Sequence, residues 1–213
     1  MLKHSREIGR SMIEMLGVLA IIAVLSVGGI SGYSKAMEKF KVNKAISEYS
    51  YLIFGLLQNL DYIQGLNAAN DNGASNAGIV DFVQATNLVP DTWKKVLARR
   101  MLDPYGNIIQ LFSRNNRLVI DFYLGGAMDE DGNLTVNTHF SYQLCQNLMT
   151  DLVQPLHYSL YYAWFTQEGA TRYYGDQFCN SDVSCLSGLN LTEINELCRS
   201  CTEGKMCAIV LEF

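Results

Sequence analysis

Two kinds of reactive side chain stand out here by where they sit. Glu14 is an acid at the entrance of a long apolar run, and six cysteines, at 145, 179, 185, 198, 201 and 207, all lie in the last third of the chain. An acid at the edge of a bilayer core either marks the interface or has a cationic partner, because reaching the centre costs roughly 2.5–3.5 kcal/mol. Arg10, one helical turn earlier, is such a partner on the same chain. Six thiols in one domain suit structural disulfides made in an oxidising compartment. Two other chemistries use the same residues: zinc held by Cys185, Cys198, Cys201 and Cys207, and a redox pair at Cys198-Arg-Ser-Cys201. No thioredoxin-like βαβ context surrounds that pair, so disulfides are the better reading. Spacing makes Cys179–Cys185 a plausible small loop and leaves the other pairings open.

Other candidates carry less. Asp129-Glu130-Asp131-Gly132-Asn133 looks superficially like a calcium loop, but position 140 is Phe where a twelve-residue loop needs a closing glutamate. A solvated hairpin turn accounts for it better. Tyr158, Tyr161, Tyr162, Trp164, Phe165, Tyr173 and Tyr174 could form a sugar-binding face, yet core and subunit packing explains them more simply. The histidines, His4, His139 and His157, have no H-E-x-x-H spacing, and there is no G-x-S-x-G, Walker loop or G-x-G-x-x-G. No enzyme, cofactor or metal is nominated by these residues.

The elements that must position Glu14 and the cysteines are of two sorts. Residues 1–44 hold seven Lys/Arg against three acids, and residues 45–213 hold nine against eighteen, so a net +4 head precedes a net −9 remainder. A total of −5 argues against nucleic acid as a main partner, because phosphate binding needs a basic face. From Met15 to Ser34 there are twenty residues without a charge. As a helix that is about 30 Å, the thickness of a hydrocarbon core. The lysines at 35, 39, 41 and 44 follow the span, so charge alone does not favour an exported C-terminal part, whereas the cysteines do.

Beyond the span, Tyr33, Met37, Phe40, Ile46, Tyr49, Ile53, Leu56, Leu60 and Ile63 recur at mostly three- and four-residue spacing, which predicts one apolar stripe on a continuing helix. Residues 67–78 read as a loop and Ile79–Thr86 as a short helix. Asp103-Pro104-Tyr105-Gly106-Asn107 is a turn by composition. Asn107–Phe112 and Arg117–Leu124 flank Asn115-Asn116 as a hairpin. A further strand is expected near Leu134–Thr138, a helix over 141–153 ending at Pro155, an alternating strand from Leu156 to Trp164, a short helix capped by Thr192 and running to Arg199, and a closing strand Met206–Phe213.

The stretch Gly9-Arg10-Ser11-Met12-Ile13-Glu14 with the apolar run after it resembles the N-terminus of type IV prepilins and pseudopilins. In that family a short basic leader ends in glycine, an acid lies five residues after the cut, and an apolar helix follows. Here the leader is MLKHSREIG, the cut falls between Gly9 and Arg10, and the acid is Glu14; Gly17 does not fit, since the fifth residue after it is Ile22. The family's mature chain usually begins with an aromatic or apolar residue whose amine is methylated, and this chain departs by offering Arg10. Asp103–Asn107 is similar to a turn of pilins and major pseudopilins. Cys145 resembles the helix cysteine of type IVb pilins, which implies Cys207 or Cys179 as its partner.

The resemblance implies an α+β fold, a long N-terminal helix packed on an antiparallel sheet. The expected organisation is a leader over 1–9, a transmembrane and filament-core helix over 10–34, the amphipathic half of that helix over 35–66, and a disulfide-braced head over 67–213. Gly28, Gly29 and Gly32 weaken the helix, each by up to about 1 kcal/mol relative to alanine. They read either as a point of helix flexibility or as a site of close helix packing. The implied partners are further copies of the chain in a helical filament, a prepilin peptidase, the inner-membrane assembly machinery, and lipid before assembly. The implied location is the inner membrane with the head exported, then the cell surface as a pilus, with motility, adhesion or secretion as the role. A type II secretion pseudopilin and a signal-anchored extracytoplasmic domain that never polymerises are the competing readings.

Overall fold

In a computed structural model the described residues are 5–68, 76–129, 132–135, 141–166, 171–201, 204 and 207–213. The chain divides into two compact units, 1–41 and 42–213. The loop expected over 67–78 lies outside the described residues at 69–75, as do His4, Glu130, Asp131, the end of the strand expected to reach Thr138, His139, Phe140 and Met206.

The first unit is helical. Helix α1 spans Ser5–Gln58, and every residue from Met12 to Ala36 is exposed. Leu, Ala, Met and Ile make a helix here, while nothing within the unit covers their side chains. It is long and apolar enough to cross a membrane.

The second unit is α+β. Its part of α1 buries Val42, Ala45, Tyr49, Leu52, Ile53 and Leu56, at helical spacing. The expected stripe is thus displaced: Tyr33 and Phe40 are 68% and 60% exposed, because the residues that pack as core begin only at Val42. The helix also ends sooner than expected. Asn59 donates its side-chain Nδ2 to the Gly55 carbonyl at 2.8 Å and its backbone N–H to Leu56 at 3.1 Å, closing a tight turn before α2 (Leu60–Ala68). Gly55 sits against Leu88, whose Cδ2 would be 2.1 Å from any Cβ at that position.

Short helix α3 (Val80–Ala85) matches the expected piece. The strands are β1 (Asn76–Gly78), β2 (Lys94–Leu97), β3 (Arg100–Leu102), β4 (Ile108–Arg114), β5 (Arg117–Tyr123), β6 (Ala127–Met128), β7 (Leu134–Thr135), β8 (Tyr162–Thr166), β9 (Arg172–Tyr174) and β10 (Ala208–Glu212). Eight form one antiparallel sheet in the order β2-β3-β4-β5-β10-β8-β9, with β1 pairing beyond β3 along the same edge of β4; β6 and β7 make a separate hairpin. Asn115 and Asn116 turn β4 into β5 with φ of 53° and 58°, the left-handed pair that suits asparagine and matches strand twist.

Residues alternate cleanly across this sheet. Ile109, Leu111, Leu118, Ile120, Phe122, Ile209, Leu211 and Phe165 face inward into one core with the head part of α1, while Phe112, Val119, Val210 and Trp164 make a small cluster on the outer face.

Helix α4 (Tyr142–Asn147) shares the main core and starts at Ser141, whose Oγ accepts from the Leu144 N–H at 3.2 Å. It does not stop at Pro155. A π-helical turn over Leu148–Val153 passes into a 3-10 turn over Gln154–Leu156, with the proline at a position where its missing N–H is not needed. The alternating strand expected from Leu156 therefore begins only at Tyr162. Leu156 and Leu160 are buried as neighbours one turn apart, with the Leu160 N–H donating to the Leu156 carbonyl at 3.1 Å; a spacing of four satisfies both periods. Helix α5 (Leu191–Ser200) is capped by Asn190 rather than Thr192: the Asn190 side-chain Oδ1 accepts from the Thr192 and Glu193 N–H groups, and the Glu193 carboxylate accepts from the Asn190 N–H.

Candidate functional site

The residues that the prepilin resemblance singles out lie on α1. Gly9 and Arg10 fall within it, Glu14 follows one turn after Arg10, and Gly28, Gly29 and Gly32 leave it unbroken. A Cβ added at any of these three glycines meets nothing within 4 Å, so the single chain gives none of them a packing role. Glu14 does not lack a partner within the chain. Around it Met12, Ile13, Met15, Leu16, Val18 and Leu19 are all more than half exposed. Such a surface is costly in water, at about 25 cal/mol per Å² of apolar area, and is suited to lipid or to other helices.

All six cysteines are paired: Cys145–Cys198, Cys179–Cys185 and Cys201–Cys207. The small 179–185 loop is as expected. Cys145 does not join Cys207 or Cys179. Packing of α5 against α4 brings the Cys198 Cα to 5.8 Å from that of Cys145, within bridging range, while Cys207 leads into β10 and meets Cys201 at the end of α5. The zinc alternative is thereby removed, since Cys185, Cys198, Cys201 and Cys207 offer no thiolate, and Cys198 and Cys201 are not a pair with each other. Among the described residues no three His, Cys, Asp or Glu side chains are grouped to hold a metal ion.

Two buried polar clusters hold the head together, and sequence reasoning missed both. In the Asp103–Asn107 turn, the Asp103 carboxylate accepts from the backbone N–H groups of Tyr105 and Asn107 at 2.9 and 2.8 Å, from Asn107 Nδ2 at 2.8 Å, and from the Tyr49 hydroxyl at 2.5 Å. Asn107 Oδ1 accepts from the Gly125 N–H at 2.9 Å. The turn thus clamps α1 to the open end of the β4–β5 hairpin, where β4 starts and β5 finishes. Burial first, and then the Asp103 carboxylate, push the Tyr49 phenol well above its ordinary pKa. A D-x-x-x-N turn with one apolar-stripe tyrosine is the signal that could have pointed to it.

On the outer face, buried Glu212 accepts from Arg114 at 2.9 Å, Arg117 at 3.2 Å and Tyr162 at 2.6 Å. Burial raises its pKa, but those three hydrogen bonds outweigh burial and hold it below the usual glutamate value. Nearby Asp121 is buried with no hydrogen-bond partner at Oδ1, and desolvation lifts its pKa to about 7. The Asp129 turn is a hairpin between β6 and β7, in which Asn133 donates to the Asp129 carboxylate at 2.7 and 3.0 Å.

Of the seven aromatics that could suggest a sugar face, Phe165 is in the main core, Tyr173 packs on it and Trp164 packs on the outer cluster, whereas Tyr161, Tyr162 and Tyr174 join Phe178 ring against ring with centroids 4.6–5.9 Å apart. His157 Nδ1 lies 2.6 Å from Asp176 Oδ2. The pair joins two turns. Comparison with described protein families, with curated proteins and with solved structures finds no match.

Proposed function

We propose that this chain is a structural subunit of a type IV pilus, made as a membrane-held precursor, cleaved between Gly9 and Arg10 by a prepilin peptidase and polymerised through its N-terminal helix. The observation that carries the reading is the uncovered apolar stretch of α1, with Glu14 five residues after Gly9, on the same chain as a disulfide-braced α+β head. Cleavage creates an α-amine at Arg10. In a growing fibre the carboxylate of Glu14 on a subunit already in place attracts the amine of the incoming one. In a low dielectric such a pair is far stronger than on a surface, and a mispaired charge is costly, so it selects one register. Helix transfer from lipid to fibre exchanges one apolar neighbour for another and changes little hydrophobic energy. Register and packing then decide the assembly. Three disulfides suit a head that works outside the reducing cytoplasm.

The test is the intact mass of the protein from its host membrane, with and without reduction. A chain starting at Arg10 that gains about six daltons on reduction of its three disulfides supports the reading. A chain still starting at Met1 in cells with active prepilin peptidase overturns it in favour of a signal-anchored domain. Recovery of the protein in sheared surface material separates an external pilus from a pseudopilin piston.

A further inference from the structure

Past residue 44 the chain carries nine Lys/Arg against eighteen Asp/Glu, but the signs are segregated. Lys94, Arg99, Arg100, Arg114, Arg117 and Arg172 lie on or over the outer face of the sheet, by strand register and ring contact. Four are set over its aromatic rings: Arg99 and Arg114 are 5.8 and 5.6 Å from the Phe112 centroid, Arg117 is 3.6 Å from Tyr161, and Arg172 is 5.1 Å from Trp164. Such stacking holds a guanidinium in place while leaving its N–H edge to a ligand. Arg114 and Arg117 are engaged with Glu212, and Arg100 with Gln110 and the Gly132 carbonyl. Among the described residues Arg99 and Arg172 hydrogen-bond no side chain.

Two acids, Asp121 and Glu212, share this face and both are buried in it. By contrast, α2, the π-helical turn and α5, which pack on the inner side, expose Asp61, Asp151, Glu193 and Glu196 against Arg199 as their one exposed cation. The head is therefore a slab with a basic sheet side and an acidic helical side. We propose that the outer sheet face docks the acidic helical side of a second copy of this chain, head to tail; this rests on the filament reading above. A contact between two different surfaces of one chain propagates head to tail, and it builds an open fibre wherever its rotation does not close into a ring. Arg, Trp and Tyr together are also the composition of protein-interface anchors, and Phe178 and Tyr158 at the same end of the sheet are 44% and 60% exposed. A long polyanion fits less well, because the net −9 of residues 45–213 repels it beyond the contact face, whereas the carboxylates of a neighbouring copy approach singly.

The test uses the full-length precursor in its host, with sheared fibre as the readout. Arg99→Glu/Arg172→Glu and Asp151→Lys/Glu196→Lys are each made alone and then together, with the parent chain in parallel. Intact disulfides, measured by mass after alkylation, establish folding of every variant; Arg99→Gln/Arg172→Gln replaces the arginine reversal if that fails to fold, and Asp151→Asn/Glu196→Gln replaces the acidic one. Each double reversal is expected to lower sheared fibre by about tenfold, and the fourfold variant to recover to within about threefold of the parent. Normal fibre from Arg99→Glu/Arg172→Glu, or no recovery in a folded fourfold variant, overturns the docking. Normal fibre that has lost binding to heparin or DNA also overturns it and gives the face to an external polyanion. Absence of the parent chain from sheared material instead overturns the filament reading itself, and the docking with it.

Discussion

Asp121 is a carboxyl group in a sheet face where nothing hydrogen-bonds its Oδ1, and that has a consequence for stability against pH. Its folded pKa of about 7 lies above the ordinary 3.8, so between these values the native state holds a proton that the unfolded chain releases. Stability from this group is complete at low pH and is lost as pH rises toward 7, at about 1.4 kcal/mol per pH unit. Asp121→Asn keeps the shape without the charge. Its advantage over the parent in denaturant melts of the detergent-solubilised protein is expected to grow from pH 4 to pH 7; an advantage that shrinks over that range means that Asp121 is ionised and paired. Tyr49→Phe is a second case, removing one buried donor from Asp103. It is expected to destabilise the head by about 1–3 kcal/mol in the same melts, and an unchanged midpoint would mean that Asn107 and the turn amides suffice. Neither carboxylate's role was legible in the sequence. Asp121 alternates as a solvent-facing strand residue would, yet it is buried in the sheet between its cross-strand neighbours Gln110 and Val210.

Elements were legible wherever a local signal decided them. The Asn115-Asn116 turn, α3 and the Asp103–Asn107 turn each rest on residues within one turn, and each lies where expected. Strands β2 and β3 were missed because Lys94, Lys95 and Arg100 give them no apolar alternation, and pairing with β4 makes them strands. The Cys145 partner was misplaced because α4–α5 packing joins residues 53 apart in sequence. That bridge closes the longest of the three loops, so Cys145→Ala/Cys198→Ala is expected to cost the head about 4 kcal/mol in denaturant melts, against about 2 for either six-residue loop. Equal losses would show that α4 and α5 stay together without it. Gly28→Ala/Gly29→Ala/Gly32→Ala should leave those melts unchanged, since the added methyls meet nothing in the single chain. Any effect on sheared fibre would then report helix packing or flexibility in the assembly.

At the scale of the molecule, a long uncovered apolar helix and an acidic α+β head were both readable from hydropathy, charge and periodicity. Where one begins to serve the other was not, because the stripe from Tyr33 to Ile63 looks uniform in sequence while burial starts at Val42. Glu14→Ala belongs to this scale: the precursor is expected to reach the membrane and be processed, yet to give no sheared fibre, whereas undiminished fibre would remove the register role. The place of β10 has a temporal consequence as well. It is the last strand in chain order but lies in the middle of the sheet, between β5 and β8. While a ribosome or export channel still holds residues 208–212, β4–β5 and β8–β9 have no strand to join them, and their inner faces stay only partly covered. Closure of the head's sheet therefore waits on its C-terminal residues, however much of the chain before them has already folded.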